Sequence, residues 1–203
     1  MNLFAWLRAR LSRPSSHGPT NNFPNSSPQS STNKPDDIKP SASRQPYYHE
    51  TIRQTPNVSP RKIKPELIVV HHTDGSYSGS VAWCLNPSSR VSYHCIIARD
   101  GRRTVLAQPT QRAWHAGKSS WRGRNDCNSF SVGVAFEGNT YVKALGQDAI
   151  DSFLEYVLPV MREHGIPSGH VTDHRTIAPN RKVDIEPHQL ASLMWKIKKG
   201  LDG

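Results

Sequence analysis

The run Leu67-Ile-Val-Val70, closed by His71, decides the fold. Four aliphatic residues without polar alternation read as a short strand buried on both faces, the central position of a sheet covered by helices. Working outward, residues 78–85 predict a short helix stopped by Asn86-Pro87. Residues 91–98 and 104–108, joined through Arg99-Asp-Gly-Arg102, read as a hairpin. Residues 128–136 (Asn-Ser-Phe-Ser-Val-Gly-Val-Ala-Phe) read as a further strand. Ile150, Phe153, Leu154, Val157, Leu158 and Met161 recur at three and four, which predicts a helix over 147–164, bent at Pro159 and ended by Gly165. Leu190, Leu193, Met194, Ile197 and Leu201 repeat the pattern in a last helix. The order describes an α/β (α+β) domain, a mixed central β-sheet flanked by helices.

Toward the N-terminus the composition changes. Residues 12–46 are Ser, Pro, Asn, Thr and Gln with few apolar side chains, too few to offset the entropy of ordering them. In residues 47–65, Tyr47, Tyr48, Ile52 and Val58 are placed to pack as an arm on the domain that follows. Residues 1–11 carry apolar side chains at 3, 4, 6, 7 and 11 with Arg8 and Arg10 between them, the spacing of a short amphipathic helix fit for a docking partner or a membrane surface. The division expected is therefore a helix over 1–11, a disordered linker and arm over 12–60, and one domain over 61–203.

The 35% apolar fraction and 16 prolines reflect that N-terminal third, and the remaining residues, about 140, suffice for one core. A formal net charge of +10 implies an anionic partner, whether nucleic acid, membrane surface or an acidic wall polymer. No basic recognition helix or stacking-aromatic motif supports nucleic acid. No run reaches the eighteen or so apolar residues of a transmembrane segment. The N-terminus lacks the basic start, long apolar centre and small-residue cleavage site of a secretory signal, so synthesis in the cytoplasm without a signal peptide is expected. Three cysteines, Cys84, Cys95 and Cys127, form no disulfide framework or metal spacing.

The chemistry concentrates in His174-Arg-Thr-Ile-Ala-Pro-Asn-Arg-Lys182-Val-Asp184. With His71 it offers two imidazoles and a carboxylate, enough for a catalytic zinc that keeps a fourth position open. Lys182, two residues from Asp184, emerges on the same face of an extended segment, where an ammonium stabilises an oxyanion. On spacing alone, two histidines and an aspartate among ten histidines are more often unrelated than joined.

His71-His-Thr, Ser92-Tyr-His94, Ala113-Trp-His-Ala-Gly117, Ser119-Ser-Trp-Arg-Gly-Arg124, Asn128-Ser-Phe-Ser-Val-Gly-Val and His174 through Asp184 follow one another in a fixed order. In this the chain resembles the zinc-dependent N-acetylmuramoyl-L-alanine amidases, which share a fold with phage amidase-type lysozymes and peptidoglycan recognition proteins. The likeness covers about residues 65–200. It implies a Zn2+ held by His71, His174 and Asp184, with His72 the rival for the first position, and Lys182 steadying the tetrahedral intermediate. It implies peptidoglycan or muropeptides as substrate, cut between the lactyl group of N-acetylmuramic acid and L-alanine. His94, Trp114 and His115 then correspond to groove positions that meet the substrate, while Arg124, like Arg112 and Arg122, is placed either to meet stem-peptide carboxylates or to form a solvated basic face.

One departure stands out. Many members carry Gly-x-Glu-x-Glu-Gly on the strand at 128–136, and the first glutamate activates water. Here the residues are Gly133-Val-Ala135-Phe-Glu137-Gly138. A methyl group accepts no proton, and Glu137 lies about 6–7 Å further along a strand, on the same face if the strand continues. Either another group or the metal alone activates water, or the domain is a binding module without catalysis, or the chain is a disabled variant. The family resemblance also leaves the setting open. The chain acts on recycled muropeptides in the cytoplasm or, delivered as an antibacterial effector with an immunity protein in its producer or as a phage lysis enzyme, in the periplasm.

Overall fold

The computed structural model describes residues 48–202. The helix expected over 1–11 and the linker over 12–46 lie outside the described residues. Strands β1 (Glu50–Ile52) and β2 (Val58–Lys62) fall in the stretch read as an arm, and β2 crosses the boundary drawn at residue 60. Strand β3 (Leu67–His72) follows, buried at every position, then helix α1 (Tyr77–Leu85), capped by the Ser76 hydroxyl on the Gly79 amide. Next come β4 (Cys95–Ile97), β5 (Arg103–Val105), β6 (Gln111–Ala113), the short pair β7 (Ser120–Trp121) and β8 (Arg124–Asn125), and β9 (Ser131–Phe136). Helix α2 (Gln147–His164), β10 (Val171–Asp173), α3 (His174–Ile177) and α4 (Pro187–Asp202) complete the order.

Among the described residues, six strands form a mixed sheet in the order β1-β5-β4-β9-β3-β10. β3 runs parallel to β9 on one side and to β10 on the other, pairing His71 with Ala135 and Val70 with Asp173. The unbroken apolar run is what such a position demands, since both faces are covered. Leu67, Val69 and His71 share one face with Ser131, Gly133 and Ala135, because side chains alternate and parallel partners point the same way. That face is packed by two apolar clusters, one centred on Leu67, Val69, Phe130 and Ile177, the other on Val81, Cys84, Ile96, Leu106 and Ala135. The opposite face meets α2, where Phe136 and Phe153 lie with ring centroids 5.3 Å apart. Helix α4 lies close on α2: a Cβ on Gly200 would come within 2.7 Å of Leu158.

Two expectations need correction. The hairpin strands are shorter than 91–98 and 104–108, because residues before Cys95 bond elsewhere. The Ser92 amide donates to the Trp114 carbonyl, and the Ser92 hydroxyl donates to the Asn57 carbonyl. The strand expected from 128 begins at Ser131, since Asn128 lies in a 3-10 turn from which its side-chain carbonyl accepts the amides of His115 and Ala116. The helix expected over 147–164 runs through Pro159 and ends, as expected, at Gly165 with φ +66°.

The N-terminal strand is fastened by charge. Arg103 on β5 is fully buried and donates to Glu50 at 2.7 Å, to Glu155 at 2.9 Å and to the Ser152 carbonyl at 3.1 Å. Replacing Arg103 with Met removes the counter-charge beside a carboxylate that is itself almost wholly buried. The expected loss is about 3–5 kcal/mol of stability, read from urea unfolding.

Candidate metal centre

β3 and β10 are adjacent and parallel, so the residues at their C-terminal ends meet. His71 is one residue short of the end of β3, and His174 follows β10 directly as the first residue of α3. The Asp173 carboxylate caps that short helix on the Thr176 amide at 2.7 Å, turning the chain back over the sheet. The loop after it returns Asp184, whose carbonyl accepts from the Arg175 amide at 2.9 Å. The result is a compact group in which His71 Nδ1, His174 Nδ1 and Asp184 Oδ2 lie 3.1–3.2 Å from one another.

The hydrogen bonds around the group fix the protons. The Ser131 hydroxyl donates to the Cys127 carbonyl at 2.6 Å, so its oxygen receives the Nε2 proton of His115 at 3.3 Å. His115 Nδ1 is then an acceptor, and His71 Nε2 donates to it at 3.0 Å. His174 Nε2 donates to the Ala116 carbonyl at 3.2 Å. Both Nδ1 atoms therefore face the Asp184 carboxylate, and three atoms of the kind that ligate a cation converge. Tetrahedral zinc, with its ligands at about 2.0–2.2 Å, would hold them about 3.3 Å apart, close to the spacing here.

Burial, followed by the charge of His174, pushes the His71 pKa down to about 4. Burial pushes the Asp184 carboxyl up, but the two imidazoles outweigh it and hold the group well below the carboxylate range. His115 is driven well below its ordinary value by burial and then by its histidine neighbours, in keeping with its neutral place in the chain of bonds. It is seated on Gly133, where any Cβ would come within 2.3 Å of its ring.

The other expected residues fall as follows. His72 points to the opposite face, with Nδ1 2.9 Å from Thr140 Oγ1 and Nε2 3.4 Å from Asp74. Lys182 is exposed, and its charge lowers the pKa of both His71 and His72. Ala135 sits beside His71 on the same face, fully buried against Val81, Cys84, Ile96 and Leu106. Glu137 is a correction: the strand ends at Phe136, and its two oxygens accept the amides of Tyr77 and Arg99, each at 3.0 Å. Its carboxylate is a clasp for α1 rather than a member of the centre. His94 is a second correction, for it is sealed from solvent, accepting the Gly133 amide at Nδ1 and donating from Nε2 to the Gln111 carbonyl, each at 2.9 Å. Arg124 is a third. It pairs with Glu66 at 2.8 Å and covers the Phe130 ring, at the strand ends opposite to His71. Trp114 is half-buried with its indole N–H on Ser59, and His115 supports His71 from behind.

Two neighbours were not singled out from sequence. Tyr93 lies against His71, ring centroids 5.1 Å apart, and its far side borders a cavity of about 400 Å³ lined also by Thr73, Ser76, Ser80 and Trp83. Burial, then the charge of Asp184, raises its pKa. Arg181 staples the Asp184 loop to the segment after His115 by donating to the carbonyls of Ala116 and Lys118 at 2.7 and 2.8 Å.

Two buried imidazoles and a carboxylate gathered at the ends of parallel strands form a candidate metal site on an α/β sheet. Residues 61–189 match the N-acetylmuramoyl-L-alanine amidase family, and the chain belongs to it. It is 32% identical over 142 residues to the 1,6-anhydro-N-acetylmuramyl-L-alanine amidase AmpD of Salmonella typhimurium, covering 61% of this chain and 75% of that protein. It is 29% identical over 156 residues to the N-acetylmuramoyl-L-alanine amidase AmiD of Escherichia coli, covering 70% of this chain and 55% of the relative. A crystal structure of a selenomethionine AmpD derivative superposes with a TM-score of 0.61 at 27% identity, over 75% of this chain and 94% of that one. Among the described residues, no helix is long and apolar enough to cross a membrane.

His94 supplies a pH test. Burial above all holds its pKa down to about 4, against 6.5 for a free ring. Between those values the unfolded chain binds the proton and the native ring does not, so stability falls as pH drops from about 6.5 to 4, by about 3 kcal/mol from this ring. Nitrogen-detected NMR should find the His94 ring neutral, protonated at Nε2, at pH 5, and urea midpoints should fall over the same interval.

Proposed function

We propose that this chain is a zinc-dependent peptidoglycan amidase that cleaves the amide between N-acetylmuramic acid and L-alanine of the stem peptide, slowed by alanine at position 135. The observation that carries the proposal is the meeting of His71 Nδ1, His174 Nδ1 and the Asp184 carboxylate at 3.1–3.2 Å. Zinc bound there would polarise the amide carbonyl and bring the pKa of a water toward neutrality. His115 keeps the His71 ring in the tautomer that presents its lone pair, and the Ala116 carbonyl does the same for His174. Lys182, on the exposed loop two residues before Asp184, supplies positive charge for the oxygen that becomes negative during attack.

General-base help is the missing part. Ala135 holds the place beside His71 and accepts no proton, and the Glu137 carboxylate is engaged by two backbone amides. Positioned proton transfer is worth about 10²–10⁴-fold in rate, so the deficit expected in this chain is of that size. The AmpD relatives are named for 1,6-anhydro muropeptides, which makes soluble muropeptides the first substrate to offer. A net charge of +10 suits the carboxylates of a stem peptide. A second function, muropeptide binding without turnover, is favoured by one observation: Ala135 is sealed within an apolar cluster, so β9 offers no carboxylate beside His71.

The test is incubation of the purified chain with soluble muropeptides and with isolated peptidoglycan, with zinc and after chelation, followed by mass spectrometry. Slow, chelator-sensitive release of intact stem peptides is expected. Ala135→Glu should raise the rate about 10²–10⁴-fold, and Lys182→Ala in that background should lower it about 10²–10³-fold. Binding without release from either chain would replace the enzyme by the binding module.

A further inference from the structure

Of the three residues in the centre, Asp184 has the weakest claim to a fixed position. His71 lies in the middle of the sheet and His174 heads a capped helix, but Asp184 lies on a loop whose residues 181–183 are exposed. The geometry points to Thr140 and Tyr141 as positioning residues for this ligand, holding the backbone on both sides of Asp184 through their two hydroxyls.

Tyr141 donates from its hydroxyl to the Val183 carbonyl at 2.9 Å, one residue before Asp184. The Glu186 amide donates to Thr140 Oγ1 at 3.0 Å, two residues after it. Since that oxygen receives the Glu186 proton, the threonine's own hydrogen goes to His72 Nδ1, 2.9 Å away. His72 then carries its ring proton on Nε2, facing Asp74 Oδ1 at 3.4 Å, and Asp74 is held by Asn139 Nδ2 at 2.7 Å. One buried hydroxyl thus connects residue 186 to residue 72, the neighbour of His71 on the same strand. The tandem histidines divide the work: His71 faces the centre, and His72, on the other face of the strand, anchors the loop that delivers the third ligand. Thr140 is 3% exposed, so water does not substitute for its hydroxyl, whereas the Tyr141 ring is 50% exposed and tolerates loss of its oxygen without loss of packing.

The inference rests on the metal centre proposed above, and the experiment separates the two. Zinc affinity of the full chain is measured by competition with a chromogenic chelator, for the wild type and for Thr140→Val, Thr140→Ser and Tyr141→Phe. Valine keeps the shape of threonine and removes the hydroxyl. It should weaken zinc binding about 10–100-fold, the size seen when groups that orient metal ligands are removed. Serine should restore binding to within about 3-fold, and Tyr141→Phe should weaken it about 3–10-fold. A folded Thr140→Val chain with wild-type affinity overturns the inference, as does a serine variant as weak as valine. If the valine variant fails to fold, Tyr141→Phe decides, and wild-type affinity there overturns the inference. A wild type that binds no zinc removes the centre and the brace together. None of these readouts uses turnover, so a zinc-binding but inactive chain ends the enzyme proposal and leaves the brace standing.

Discussion

Two buried imidazoles and a buried carboxylate held 3.1–3.2 Å from one another form a cluster that a folded protein keeps only with support from every side. Here the His71 and His174 lone pairs and the Asp184 carboxylate meet because two adjacent parallel strands end side by side and a loop folds back over them. The surrounding bonds maintain the convergence. The sequence of donors from His71 through His115 and Ser131 to the Cys127 carbonyl leaves the first ring only one face to turn inward. Much of the rest follows: the glycine beneath His115, the asparagine that clasps the segment carrying it, and the arginine that staples the Asp184 loop to that segment.

The chain keeps the architecture of its family while placing alanine at position 135. The residues of the candidate metal centre are distributed over β3, α3 and the loop after it, each held by its own backbone context, whereas Ala135 comes from β9. Changing Ala135 therefore leaves the ligand geometry intact, since its methyl group faces apolar neighbours and touches none of the bonds that set the imidazoles. The candidate metal group and position 135 are separable because they are built on different elements.

What was legible in the sequence divides along a physical line. The buried strand at 67–70, the helix over 147–164 and the last helix were readable because their hydrophobic spacing is local. The ligand blocks were readable because their order resembles one family. The functions of His94, Arg124 and Glu137 were not, since each depends on a distant partner: the Gly133 amide and the Gln111 carbonyl, Glu66, and the amides of Tyr77 and Arg99. For Glu137 the alternation rule itself misled, because it holds only while the strand lasts, and the chain turns at Gly138 with φ +77°. Strands β1 and β2 were hidden for a related reason. They carry little apolar pattern of their own and are held by pairing with β5 and β6.

A last consequence concerns the glycine under His115. Because β3 and β9 are apolar on both faces, hydrophobicity alone punishes a one-residue slip between them only weakly, and the tandem His71-His72 would present an imidazole to either side. Only one position along β9 has room for the ring that braces His71, and that position is Gly133. The absence of a side chain thus ties the alignment of β3 with β9 to the seat of His115, the histidine next to the candidate ligands.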